Sequence, residues 1–516
     1  MLYTLDKKLF KESRMQTQEA VKKYLLSKKN RTKLKLFQLL TKHSEPVSQS
    51  YLAQRSQVSD ATLLLYLKEL SQDLQQIIHP DCRVISKQRF SQIDIALFDK
   101  AECYYKMFGA YCKSSTNFTI IAALLDRETN SILALSYKTN YSVPYLYSRM
   151  KEIDEFLALF GLAISFSKSG NRRIHGTEIQ IQYCLLDVYW TIFANTSLPF
   201  NKDSIDVYQF VSTYLKKELI PRLSSGQLDK IALLLILCTE NFPYSSLKKV
   251  QEDLANSENS RIFLNPMIDA FNPSLHLNDE QRIILNILIR LSTTKIDSDE
   301  ENYKQYSTFI QEKVPAVLSA KKIVDNFSKR FQLKIPENKR VLHILNLSRN
   351  RLYNDYLAEN HSNTMLPSYF LHKNSENFSQ VIDDIRHFYH DFEQHDDVFG
   401  ASSNAQNTDS IIEDLYHLYD RYHAVNPIRI GVNYTRDYYI SDDIMGKIEQ
   451  LFTDSIILQK NEMNNCDLVI SDCPLPKLKS KIKKIYVIND LSNKENFDIL
   501  FEQVARETFD LINSRF

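Results

Sequence analysis

At 516 residues, with 43% hydrophobic and 25% charged, the chain has the composition of a globular protein of several domains. Only 8 Gly and 14 Pro predict few tight turns and a mainly α fold. Neither a GxGxxG nor a GxxxxGKS/T pattern occurs, so the common phosphate cradles of nucleotide-driven enzymes are excluded and no cofactor is expected.

Seven cysteines (Cys82, Cys103, Cys112, Cys184, Cys238, Cys466, Cys473) form no CxxC pair, which predicts free thiols in a reducing compartment and no structural zinc. The first fifteen residues lack an apolar run, and the longest one, Ile231 to Cys238, is too short for a bilayer. A cytoplasmic protein without membrane contact is the expectation. The net charge of +1 hides an asymmetry: residues 1–95 hold 17 Lys and Arg against 9 Asp and Glu. Residues 361–425 are acidic instead, with Asp383, Asp384, Asp391, Glu393, Asp396, Asp397, Asp409, Glu413 and Asp414.

Residues 1–30 read as a basic helical lead-in, followed over 31–97 by a first winged helix-turn-helix. There Arg31 to Thr41 is an amphipathic helix. Ser48 or Ser50 caps a second, and Gln57-Val58-Ser59 forms the turn. Ser59 then caps a third helix whose Leu63, Leu67, Leu70 and Leu74 make one buried stripe. Ser59, Asp60, Ala61, Thr62, Leu64, Leu65 and Lys68 are left for the major groove. That face is poor in Arg, Asn and Gln, so phosphate contacts and DNA shape are expected to matter more than base-edge hydrogen bonds. Arg83 to Leu97 suits a two-stranded wing that offers Lys87 and Arg89 to the DNA backbone.

The plan repeats over 98–178. Helices are predicted at Phe118 to Asp126, Asn130 to Tyr137 and Pro144 to Phe160, then a hairpin around Ser169-Gly170-Asn171. Its expected DNA contacts are Tyr145, Tyr147, Ser148, Lys151, Lys168, Arg172 and Arg173. One such pattern fits an ordinary helical hairpin equally well; two in tandem at a basic end point to double-stranded DNA. A regulatory scaffold that uses Ala61, Leu64 and Leu65 for protein contacts remains the alternative.

Two helical bundles are expected over 179–290 and 291–425, with Gly400 to Gln406 the clear linker inside them. Over 426–516 the period changes. Strands at Ile428 to Tyr434, Ser455 to Leu458, Asp467 to Ser471 and Lys484 to Ile488 alternate with helices at Ser441 to Phe452 and Asn496 to Ile512, predicting a small α/β domain with a parallel sheet.

This order resembles the Mga/AtxA family of virulence regulators, including the RofA-like branch. Local matches are LLSKKNRTKLKLFQLL at Leu25 to Leu40, RIFLNP at Arg261 to Pro266 and CDLVISDCPL at Cys466 to Leu475. The resemblance implies a non-enzymatic transcriptional regulator, usually an activator, that acts on promoter DNA and indirectly on RNA polymerase. It implies two bundles similar to the regulatory domains (PRDs) phosphorylated on histidine by the phosphocarrier protein of the sugar phosphotransferase system. It also implies a C-terminal domain similar to that system's IIB component, which closes a homodimer. The phosphate-carrying Cys of a working IIB domain is missing, because Asn433-Tyr434-Thr435 follows the first strand. Candidate phosphorylation sites are His343, His387 and His390, with surface or capping histidines as the alternative reading.

Overall fold

The computed structural model describes residues 17–43, 45–95, 98–125, 129, 131–166, 172–193, 205–241, 269–273, 275, 279–293, 296–357, 376–396, 405–423, 428–433, 438–452, 456–459, 463–473, 475, 484–487 and 494–515. The RIFLNP segment, the Ser169–Asn171 turn, Lys168 and most of the 400–406 linker lie outside these residues; Ala405 and Gln406 of that linker already belong to a helix. The fold is mainly helical, with a small parallel sheet near the C-terminus. Its residues group into two compact units, one within 1–318 and 348–363, the other within 319–347 and 364–516.

In the first unit, α1 (Thr17–Leu25) precedes α2 (Lys28–Lys42), which Ser27 caps through its side-chain oxygen. A two-residue strand β1 (Val47–Ser48) leads into α3 (Gln49–Ser56). Gln57 ends α3 in the left-handed region at φ 57°, and Ser59 caps α4 (Asp60–Ile77) by accepting from the Thr62 N–H. As the leucine period predicts, α4 buries Leu63, Leu67, Leu70 and Leu74. The wing is β2 (Arg83–Lys87) against β3 (Phe90–Asp94), antiparallel, with β1 as a third strand on the far side of β3.

Next come α5 (Lys100–Lys113), α6 (Thr116–Leu125), α7 (Ile132–Thr139) and α8 (Val143–Ala158), then a second antiparallel pair, β4 (Ala163–Phe166) and β5 (Arg172–His175). Asn140 ends α7 at φ 57°, as Gln57 ends α3, so both turns use the same left-handed exit. α9 (Glu178–Phe193) packs on α1 and α5 and also on α11 (Ser225–Leu235). One helix thus joins the winged units to the helices that follow. On α9, Asp187 accepts from Thr17 Oγ1 at 2.5 Å, and burial raises its carboxyl above the usual range. The unit also includes α10 (Val207–Tyr214), α12 (Asp279–Ser292) and α13 (Asp299–Gln311), the last opened by a Ser298/Glu301 capping box.

Helices α14 (Pro315–Arg330) and α15 (Glu337–Leu357) lead to α16 (Glu376–Glu393) and α17 (Ala405–Tyr422). In the second unit, Phe327 of α14 and Phe331 just after it meet Phe388 of α16 at 5.2 and 6.1 Å, and Phe331 meets Tyr419 of α17 at 5.6 Å. The C-terminal domain follows the predicted alternation: β6 (Ile428–Asn433), α18 (Tyr438–Phe452), β7 (Ile456–Gln459), β8 (Leu468–Ser471), β9 (Lys484–Val487) and α19 (Lys494–Arg515). All four strands are parallel, in the order β7-β6-β8-β9. Ile428, Ile430, Val432, Ile444, Ile448, Leu468, Ile470, Leu500 and Val504 form its core.

Candidate nucleic-acid interface

The first winged unit is held together so that its outer face is left uncommitted. On the inner side, Lys29 pairs with Glu69 at 2.6 Å and Lys33 with Asp73 at 2.5 Å, tying α2 to α4. Tyr111 of α5 donates to the same Asp73, and burial pushes its hydroxyl well above the ordinary tyrosine range. Two acids of α4 are therefore engaged away from the exposed stripe. That stripe, opposite the buried leucines, consists of Ala61, Leu64, Leu65, Lys68, Gln72, Gln75 and Gln76. Leu64 and Leu65 are 51% and 52% exposed, unusual for leucines on an otherwise well-packed helix.

The wing is latched to both helices of the motif. The Gln49 N–H donates to the Arg89 carbonyl at 2.8 Å, Gln49 Nε2 donates to Ser91 Oγ at 3.2 Å, and the Val84 N–H donates to Ser71 Oγ at 3.0 Å. Its two-residue turn, Gln88 at φ 47° and Arg89 at φ 68°, has the geometry that normally selects Asn-Gly. Lys87 and Arg89 are both exposed there. Of the expected contacts, Ser59 and Thr62 hydroxyls bond each other at 2.9 Å as part of the cap, whereas Asp60, Ala61, Leu64, Leu65 and Lys68 stand in solvent.

In the second unit, Tyr147 (51% exposed), Ser148 and Lys151 lie on the outer side of α8. Ser148 Oγ donates to the Tyr145 carbonyl at 2.6 Å, and the Tyr147 ring stands edge-on to Phe166 of β4 at 6.1 Å, linking helix to wing. Tyr145 is half-buried. Arg149 donates to its hydroxyl at 3.3 Å and lowers its pKa, and the ring packs against Tyr141 at 5.3 Å. Arg172 and Arg173 lie on β5 opposite Phe166 and Ser165. Sequence reasoning passed over Arg55, exposed in the last turn of α3 with its guanidinium 5.6 Å from the Tyr51 ring; its place two residues before the Gln57 exit was the available signal. It also passed over Leu133 and Tyr137, 60% and 83% exposed one turn apart on α7.

The histidines differ in setting. His343 is half-buried, with Nε2 3.1 Å from the Tyr422 hydroxyl, and burial lowers its pKa to about 4. His387 is exposed and lines a cavity of about 540 Å³ with Lys322, Arg330, Asp384, Asp391 and His395. His390 is exposed too, with Nδ1 3.3 Å from the buried Glu393. At the ends of β6 and β8, Asn433 Nδ2 donates to Ser471 Oγ at 3.1 Å, and Ser471 donates to the Cys473 carbonyl at 2.7 Å. No group of three or more His, Cys, Asp or Glu with metal-binding geometry occurs among the described residues, and no helix among them is long and apolar enough to cross a membrane.

These observations define a protein with two tandem winged helix-turn-helix units. Residues 105–189 match the family model of the Mga helix-turn-helix domain, a segment that begins in α5 and ends in α9. Two relatives come from Bacillus anthracis. The capsule synthesis positive regulator AcpA is 22% identical over 37% of this chain and 40% of its own length. The capsule synthesis positive regulator AcpB is 29% identical over 20% of each chain. The matched stretches thus span two fifths or less of either relative. The domain match and the relatives together show a chain similar, over those stretches, to Mga-type regulators.

Proposed function

We propose that the chain is a DNA-binding transcriptional regulator, an activator of virulence or surface-protein genes in a Gram-positive bacterium, working in the cytoplasm as a homodimer. What carries the reading is the repetition: two winged helix-turn-helix units, the second inside the matched Mga domain, each with an exposed helix face beside a two-stranded wing. Both relatives are named as positive regulators, which favours activation and an indirect partnership with RNA polymerase. Dimerisation through the C-terminal domain is supported by the edges of its sheet, where Ile457 on β7 and Val487 on β9 are each 41% exposed. The helical segments over 179–290 and 291–425 serve as PRD-like regulatory bundles, and the 426–516 domain as a IIB-like module without phosphotransfer chemistry.

Within this reading the phosphotransferase-system phosphocarrier protein modifies the second bundle at His387 or His390, the two candidates that are exposed where His343 is half-buried. Added charge beside Asp383, Asp384 and Asp391 would repel and loosen that bundle. Electrophoretic retardation of duplex DNA by the full chain across a salt series tests the core of the proposal. Binding that weakens steeply with salt is expected, and failure to retard any duplex at low salt would leave the scaffold reading instead.

A further inference from the structure

The outer face of α4 is apolar where a recognition helix enters the groove. From Asp60 through Leu67 the exposed side chains are Asp60, Ala61, Leu64 and Leu65, while the hydroxyls of Ser59 and Thr62 bond each other. No amide or guanidinium lies in that half of the helix to address base edges. Lys68 follows on the same stripe, and the wing turn presents Lys87 and Arg89. Glu69 and Asp73, which would otherwise repel phosphates, are held by Lys29 and Lys33 on the inner side. The surface is thus a small apolar patch with Asp60 at its N-terminal tip and Lys68 along the same stripe, on a unit whose wing turn adds Lys87 and Arg89, which suits a polyanion whose groove presents methyl groups.

In the major groove only one base presents a methyl group: thymine, at C5. A leucine set against guanine, cytosine or adenine edges strips water from donors and acceptors without replacing their bonds, which costs free energy. Set against a methyl it loses nothing polar and buries apolar area on both sides.

We infer that the first winged unit selects its sites through Leu64 and Leu65, with Ala61 beside them, by packing on thymine 5-methyl groups. The inference rests on the DNA-binding reading above and narrows it to the chemistry of the base contacted. Burying one methyl corresponds to about a fourfold change in affinity, so two contacted thymines amount to about tenfold or somewhat more.

The test uses the full chain and a duplex selected by it from a random-sequence pool, synthesised once with thymine and once with uracil, which lacks only the methyl. The wild type should bind the uracil duplex about tenfold more weakly. The Leu64→Ala/Leu65→Ala protein, altered only at exposed positions, should bind both duplexes with nearly equal affinity, which separates methyl contact from any change in DNA shape. Equal binding of the two duplexes by the wild type overturns the inference and leaves the leucines as a face for a protein partner. A thymine preference that survives in the double variant overturns it as well. If neither duplex is selected or retained at low salt, the DNA-binding reading itself fails.

Discussion

Replacing Asp297 with Ala should destabilise the first unit severely. Its carboxylate accepts from Arg290 Nη2 at 2.8 Å and from Arg349 Nη2 at 3.4 Å, with the three side chains 8%, 4% and 10% exposed respectively. Arg290 also donates to Asn286 at 3.2 Å and Arg349 to Gln305 at 2.8 Å, so α12, α13 and α15 meet at this carboxylate. Without it, two guanidinium charges face each other where water cannot reach them. Breaking a buried pair in this way costs about 3–5 kcal/mol. For a unit of this size that is roughly 10 °C in unfolding temperature. Differential scanning calorimetry of the full chain, with urea unfolding followed by circular dichroism, measures it. Changing Arg349 to Met in the Asp297→Ala background should recover part of the loss, because it removes one stranded charge. A loss below about 1 kcal/mol, or no recovery in the double variant, would show that the carboxylate does not hold these helices together.

The first wing turn carries Gln-Arg where Asn-Gly fits best, so Gln88→Asn/Arg89→Gly should raise stability by about 0.5–1 kcal/mol while weakening DNA binding; unchanged binding would remove Arg89 from the interface. His343 has a folded pKa near 4, below its unfolded value of 6.5. The unfolded chain therefore takes up the proton first, and stability contributed by the neutral ring is full above pH 6.5 and is lost as pH falls from 6.5 to 4. His343→Gln should flatten that stretch of the stability profile, and an unaltered slope would contradict the assignment. In the C-terminal domain a Cβ at Gly431 would come 2.4 Å from Met463 Sδ and 3.0 Å from Cys466 Sγ. Gly431→Ala should cost about 1–3 kcal/mol by urea unfolding, with partial relief from Met463→Ala; a neutral result would mean that the strand yields. Radiolabelled phosphate passed from a phosphocarrier protein should disappear with His387→Ala/His390→Ala, and label retained on that variant places the acceptor elsewhere.

Elements with a local signature were legible in the sequence. Ser48 and Ser59 cap where their spacing places them, the four leucines of α4 face inward, and the C-terminal alternation gives a parallel sheet. What stayed hidden depends on partners distant in sequence. α5 is rich in Tyr and Cys and contains Gly109, a poor helix former, and takes its stability from α2, α4 and α9 around it. β1 is two residues long and exists because β3 lies beside it. α13 did carry a sign, the Ser298-x-x-Glu301 capping box, but its face shows little of the apolar period that reveals a helix. At the candidate interface the leucine period left Leu64, Leu65 and Lys68 on the outer face of α4, where they are exposed, as Lys87 and Arg89 are on the wing. The sequence did not reveal that Ser59 and Thr62 satisfy each other, or that Tyr145 is drawn inward by Arg149.

The most direct test of the DNA-binding account is the salt dependence of duplex affinity for the full chain beside a Lys87→Ala/Arg89→Ala/Lys151→Ala variant. All three residues are exposed, so the substitutions leave the folded core untouched. Each phosphate that is no longer neutralised should reduce the slope of log affinity against log salt by about 0.9. Weaker binding with a slope shallower by about 2 to 3 is the expected result. Equal slopes for the two proteins, or no retained duplex at low salt, would contradict the account.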